Sequence, residues 1–371
     1  MNIVKSSGLI RLIAFFLVAI IMVCTFGFAA DGWKLSENPN DNQNIISNVP
    51  PLNQETSEEN KDDDNHKEPE IYIPEYVNSL TGLETSLELS TKKPMAFVMD
   101  SSSPIYGISG SDVVVEIPAD LGTTRLAAIT SDLTNLWKIG SLASGRKYIS
   151  NIARFFGSTI VSSPYDDAII YDGCEMSNES LIFSEEKGFC YSEYYYYLYT
   201  NVNLINSAII GANLDTTRDI NKSLPYSFTG FGSDELSSTK AATNVSLIYS
   251  SSIQVELKFS QEQGEYYLNR NGNASKDLLN NEEIKFKNCF VLFADSITYE
   301  GTNNSQTVIN TVGEGIGYYF TNGTVQEIVW RSDIEGSLCF IDSNDLPLTI
   351  NRGKIYIGFL KSSRPENLIF S

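Results

Sequence analysis

The sequence predicts an α+β protein, with a mixed α/β N-terminal part followed by an antiparallel β-rich C-terminal part. Three observations predict it. Residues 112–117 read DVVVEI, with three consecutive valines and Pro118 as a stop, the composition of a buried strand. Ile149, Ile152, Ala153 and Phe156 recur at helical spacing. Asn-Gly pairs stand at 271–272 and 322–323 between apolar segments, and Asn-Gly is the strongest short signal for a hairpin.

Taken in order, the chain opens with Lys5 and Arg11 followed by residues 12–28, a stretch without charge. That is the make-up of a signal peptide or of an N-terminal membrane anchor. Gly27 and Ala29 present small residues for cleavage after Ala29, and retention as an anchor is the other outcome. Val23 before Cys24 does not suit lipidation. Residues 1–30 are assigned to this leader. Residues 31–74 form an acidic tether. Between Glu37 and Glu70 lie ten acids and two lysines, with little that builds a core. A flexible chain of that length spans roughly 36 Å. The run at 62–65 (DDDN) is read as a solvated acidic stretch rather than a calcium loop.

Residues 75–232 are assigned to a mixed α/β domain. Its strands are expected at 94–100, 112–117 and 123–130, with helices at 143–156 and, capped by Thr200, at 201–212. Residues 233–371 are assigned to a β-rich domain. Its strands are expected at 252–259, 266–269, 289–294, 318–322, 324–330, 338–341 and 354–360, forming an antiparallel sheet or small barrel.

Charge and composition exclude several functions. The formal net charge is −20, which repels phosphate backbones, so nucleic-acid binding is disfavoured. The same charge disfavours unaided binding to anionic wall polymers. The only histidine, His66, lies in the tether, so Ser-His-Asp and Cys-His chemistry lacks its base. The five cysteines include no CxxC pair, and no metal or other cofactor is expected. Cys174 and Cys190 either pair across a short loop or remain buried thiols. GEGIG at 313–317 resembles a phosphate loop, but no helix follows it, and it is read as tight turns.

Several segments resemble a known family. PMAFVMD at 94–100, SGSDVVVEIPADLGTTRLAAI, KIGSLASGRKYISNIA and LYTN at 198–201 resemble the N-terminal half of the YerB-like family of bacterial lipoprotein-like proteins, a domain of unknown function. YYLNRNG, GEGIGYYFTNGTVQEIVW and LTINRGKIYIGF resemble its C-terminal half. The resemblance implies an extracytoplasmic, membrane-tethered protein of two subdomains and supplies no activity. Of two arginines typical at the helix start only Arg146 remains, with Ala143 at the other place. Ser162-Ser163-Pro164-Tyr165-Asp166 stands for a segment that carries a histidine and a glycine pair in the family. Tyr196-Tyr197 replaces the His-Asn before LYT.

The charged positions that match the pattern are Asp112, Glu116, Arg125 and Arg146. They are the candidate ligand-binding set, with the two arginines contacting an anionic group of the ligand. The competing reading is a structural salt bridge, Glu116 with Arg125 across the hairpin. Asp112 and Glu116 lie about 13 Å apart along a strand, beyond the roughly 5 to 9.5 Å of glycosidase carboxylate pairs. Either acid would need Asp100, Asp120, Asp166 or Asp167 to complete such a pair. Tyr191, Tyr199 and residues 194–197 form either a sugar-stacking surface or a half-buried tyrosine face. The expected function is a non-catalytic envelope module that binds a cell-wall polymer or an envelope protein, associated with the membrane through residues 12–28 if uncleaved. The alternative is a carboxylate-dependent cell-wall glycan hydrolase.

Overall fold

A computed structural model describes residues 71–163, 180–182, 187–194, 196–300 and 305–371. His66, Cys24, Asp166, Asp167 and Cys174, like the leader and nearly all of the tether, lie outside the described residues. The fold is β-rich. Its first half supplies strands β1 (Met95–Asp100), β2 (Val113–Pro118), β3 (Thr124–Thr130), β4 (Ile139–Leu142), β5 (Thr159–Ser162) and β6 (Tyr197–Thr200). It also supplies helices α1 (Leu87–Thr91), α2 (Lys147–Phe155) and α3 (Val202–Gly211). The cap of α3 is Asn201, whose side chain accepts from the amides of Asn203 and Leu204, and not Thr200. Thr200 is committed elsewhere, its hydroxyl donating to the Phe189 carbonyl.

The second half supplies β7 (Asn244–Ile248), β8 (Gln254–Ser260), β9 (Glu265–Arg270), β10 (Asn288–Ala294), β11 (Ser296–Glu300) and β12 (Ser305–Ile309). It continues with β13 (Gly313–Thr321), β14 (Thr324–Ser332), β15 (Leu338–Ile341), β16 (Ile355–Lys361) and β17 (Leu368–Phe370). Both Asn-Gly pairs make turns with positive φ at the two residues, 51° and 79° at 271–272 and 49° and 69° at 322–323, as a type I′ turn requires.

These strands do not sort into one sheet per half. The larger sheet runs Lys240–Ala241, β14, β13, β10, β16, β2, β3, β1, β4, β6, Tyr191–Glu193, with β15 on β14 and β5 parallel to β1. The junction is β16, which pairs in parallel with β10 on one side and with β2 on the other. Its sequence, IYIGFLK, is apolar almost throughout and buried on both faces, the character of a central parallel strand. The second sheet is antiparallel, in the order Asn273–Ala274, β9, β8, β7, β17.

The larger sheet is the middle layer. Ala96, Val98, Val113, Val115, Ala127 and Ile129 project to one face, beneath Ile149, Ile152, Ala153 and Phe155 of α2. Met95, Phe97, Met99, Val114, Leu126 and Ala128 project to the other, against Val245, Leu247, Val255 and Leu257 of the second sheet and Ile205 of α3. The alternation along β1 to β3 is the period-2 pattern of a pleated sheet, here apolar on both sides because both sides are covered.

GEGIG is part of strand β13, not a set of tight turns. Gly315 and Gly317 are there for clearance. A Cβ on Gly315 would lie 2.5 Å from the Phe293 carbonyl oxygen and 2.6 Å from Trp330 Nε1, and one on Gly317 would lie 2.8 Å from Leu292.

Candidate functional site

The β2–β3 hairpin decides where the charged residues go. Its register sets Ile117 opposite Arg125 and Glu116 opposite Leu126. Residues directly opposite in an antiparallel pair share a face, so Arg125 projects with Ile117 to the helix side and Glu116 projects to the other. The salt bridge between Glu116 and Arg125 expected across the hairpin therefore does not form.

On the helix side, Arg125 meets Asp100, its register partner on β1, with Nη1 3.2 Å from Oδ2. The approach is not aligned as a hydrogen bond, and the buried Nε and Nη1 of Arg125 have no hydrogen-bond partner. Arg146, the residue before α2 and only 3 % exposed, donates through Nη2 to Asp120 Oδ2 at 2.6 Å. The other oxygen of Asp120 accepts from the Thr307 amide on β12 at 2.9 Å. The turn after β2, the end of β1 and the start of α2 thus bring two arginines and two aspartates to one end of this face.

The tyrosine-rich segment continues the same face to the sheet edge. Leu142 and Leu198 follow Met99 in register on the second-sheet side, which turns Tyr197 and Tyr199 to the side of Asp100 and Arg125. Tyr199 is buried. Lys138 Nζ lies 4.0 Å from the ring centre of Tyr106 and 4.1 Å from that of Tyr199, and it binds both oxygens of Glu193 at 2.8 Å. Burial pushes the Tyr199 and Tyr191 phenols above their ordinary value, with the charge of Glu193 adding to it. The Tyr197 phenol is raised first by its hydrogen bond with Tyr196, then by burial and by neighbouring charges that include Asp100. Tyr194 and Tyr196 stand 74 % and 69 % exposed. The segment therefore combines a packed tyrosine face at Tyr199 with an exposed aromatic edge at Tyr194 and Tyr196.

Glu116 lies on the opposite face, fully buried. Arg270 at the end of β9 clamps it with two bonds of 2.8 Å. Tyr356 of β16 donates to Oε2 at 3.0 Å and the Thr124 hydroxyl donates to Oε1. Tyr249 touches the Tyr356 hydroxyl at 3.3 Å. Burial, then the charge of Glu116, pushes both phenols well above their ordinary value, so they remain protonated donors. Burial alone would lower the Arg270 guanidinium, but the charge and hydrogen bonds of Glu116 hold it above its usual value. This cluster ties the two sheets together and floors a cleft of about 200 Å³ whose walls include Ile105, Leu278 and Phe286.

Asp112 lies at the other end of β2. Its carboxylate accepts from Asn78 Nδ2 at 2.9 Å and from the Ser131 amide at 3.0 Å. Burial raises its carboxyl above the ordinary value, against those two bonds and the charge of Lys354. Of the four predicted residues, the structure thus brings Arg125 and Arg146 to one end of one face and leaves Glu116 and Asp112 elsewhere. Sequence reasoning passed over Arg270 and the pairing roles of Asp100 and Asp120. The register counted back from the ADLG turn already separates Arg125 from Glu116, so that part was available. Among the described residues no group of His, Cys, Asp or Glu is arranged to hold a metal ion.

The chain belongs to the DUF3048 family: residues 80–186 match the model described as Protein of unknown function (DUF3048) N-terminal domain, and residues 245–357 match the corresponding C-terminal domain. The fold is shared with the crystal structure of YerB protein from Bacillus subtilis, at a TM-score of 0.65 and 20 % identity, covering 79 % of this chain and 98 % of that one. No curated protein matches the sequence.

Proposed function

We propose that the chain is an extracytoplasmic, membrane-proximal envelope protein that acts as a non-catalytic binding or scaffolding module for a cell-wall polymer or a protein partner. The observation that carries the reading is Arg125. A buried donor without an acceptor costs about 1–3 kcal/mol; Arg125 Nε is such a donor, and Nη1 meets Asp100 only as a poorly aligned ion pair. An oxygen of a ligand at this end of the face would relieve them, in company with Arg146. Among the described residues the candidate acids of a hydrolase are engaged as acceptors or ion pairs: Asp100 with Arg125, Asp120 with Arg146, Glu116 with Arg270, Asp112 with Asn78 and Ser131. Placement outside the cytoplasm rests on Lys5, Arg11, the uncharged residues 12–28 and the acidic tether. Among the described residues no helix is long and apolar enough to cross a membrane, so the proposed membrane association rests on residues 12–28.

Two measurements test the proposal. Purified chain is sedimented with peptidoglycan sacculi, with R125A compared at matched concentration. Retention of the wild type, weakened about tenfold in R125A, is expected, the size of losing one charge-assisted contact. No retention would remove the wall polymer as ligand, and release of soluble sugar would favour the hydrolase instead. Cell fractionation should find the chain outside the cytoplasm, and full-length chain in the cytosol would overturn the placement.

A further inference from the structure

We propose that the exposed tyrosines at the end of the larger sheet, Tyr194 and Tyr196 with Tyr197 behind them, form a stacking surface for the uncharged sugar rings of a glycan. The inference rests on the wall-polymer reading above and specifies the part of the polymer that is recognised. Tyr191–Glu193 is the outermost strand on this side of the sheet, and its hairpin with β6 presents the rings. Tyr194 holds a positive φ of 52°, a conformation that L residues with a side chain rarely adopt. It is nonetheless occupied by a large aromatic that stands in solvent. Tyr196 and Tyr197 lie 4.3 Å apart at 61°, so the edge offers two differently tilted ring planes rather than one flat patch.

Charge selects the partner. Lys138, beside these rings, is buried, held between Tyr106 and Tyr199 and bound by Glu193. The charge of Lys138 is thereby met by Glu193, on a chain of net −20. A polyanion gains nothing there. A neutral sugar does: the apolar side of a pyranose lies on a phenol ring, while the phenol hydroxyls exchange hydrogen bonds with sugar hydroxyls. Arg125, on the same face, is placed for an oxygen carried elsewhere on the same polymer.

The test uses full-length chain and the N-acetylglucosamine tetramer as probe, with binding followed by calorimetry. The wild type should bind, Y194F/Y196F should bind nearly as well, and Y194A/Y196A should bind at least about tenfold more weakly, since two stacked rings are lost. Both side chains are exposed, and unchanged thermal unfolding of the variants confirms that the fold is intact. Equal binding by the alanine variant, or no binding of the tetramer by the wild type, overturns the stacking surface. Sacculus retention separates the two proposals: if sacculi still hold the wild type in that event, the wall-binding reading stands and only the tyrosine edge falls. If sacculi hold neither protein, both fall.

Discussion

Glu116 is a charge held entirely inside the fold. A carboxylate with no exposure is stabilised only by what surrounds it, and Arg270, Tyr356 and Thr124 together occupy both oxygens. Removing one partner of a buried pair costs about 3–5 kcal/mol, while replacing both by apolar residues of similar volume can be neutral. Glu116→Leu alone should therefore lower the urea midpoint sharply, and Glu116→Leu with Arg270→Met should recover much of it. A double variant no more stable than the single one would refute the account. Asp112 makes a pH prediction. Its carboxyl is raised above 3.8 by burial, so as pH climbs past 3.8 the unfolded chain releases this proton while the folded chain keeps it. Its contribution to stability is thus greatest at low pH and declines as pH rises through the folded value. Asp112→Asn should flatten the stability profile above about pH 4, measured as urea midpoints across pH 4 to 7; parallel profiles would contradict it. Neither environment was legible beforehand. Glu116 meets an arginine 154 positions away, and burial of Asp112 depends on Asn78 and Ser131 closing over it. What could be read was the parity of the hairpin, which alone sends Arg125 and Glu116 to opposite sides.

At the scale of elements, the strands legible in the sequence were those with β-branched or aromatic runs ended by Pro or Asn-Gly. Residues 95–100, 113–118 and 124–130 lie within a residue or so of where composition put them. The misreading of 313–317 shows the limit. Glycine marks turns in sequence, but in β13 it marks crowding, because Trp330 and the Phe293 carbonyl leave no room for a Cβ. Gly358 in β16 is the same device between sheets: a Cβ there would come within 2.5 Å of Leu247 and 2.9 Å of the Tyr249 hydroxyl. Gly358→Ala should thus cost about 1–3 kcal/mol as overpacking, read as a lower melting temperature with unchanged secondary structure. A variant as stable as the wild type would show that the sheets have slack at this point.

At the scale of the molecule, the two family segments are parts of one sheet. The sequence changes character near residue 233, and among the described residues the α-helices fall before it, yet the boundary in composition is not a boundary in hydrogen bonding. Without β16, the edge of β2 would be open and Val113 to Glu116 would lose their partners at 355–358. Residues 71–232 made alone should therefore fail to fold cooperatively, as should residues 233–371, while the two mixed during refolding should recover the native circular dichroism. Independent, reversible unfolding of either half would show that each has a core sufficient to itself.

The position of β16 also has a bearing on timing. Val113 waits for Ile355, so a ribosome must deliver nearly the whole folded body before the middle of its sheet can close. Until then the growing chain holds open strand edges on β2 and β10 and cannot complete its larger sheet. A polypeptide that stays loose until late in synthesis is a good passenger for a translocon, which threads chains in extended form. On the export proposed above, the topology that joins the halves would let the sheet close only after translocation.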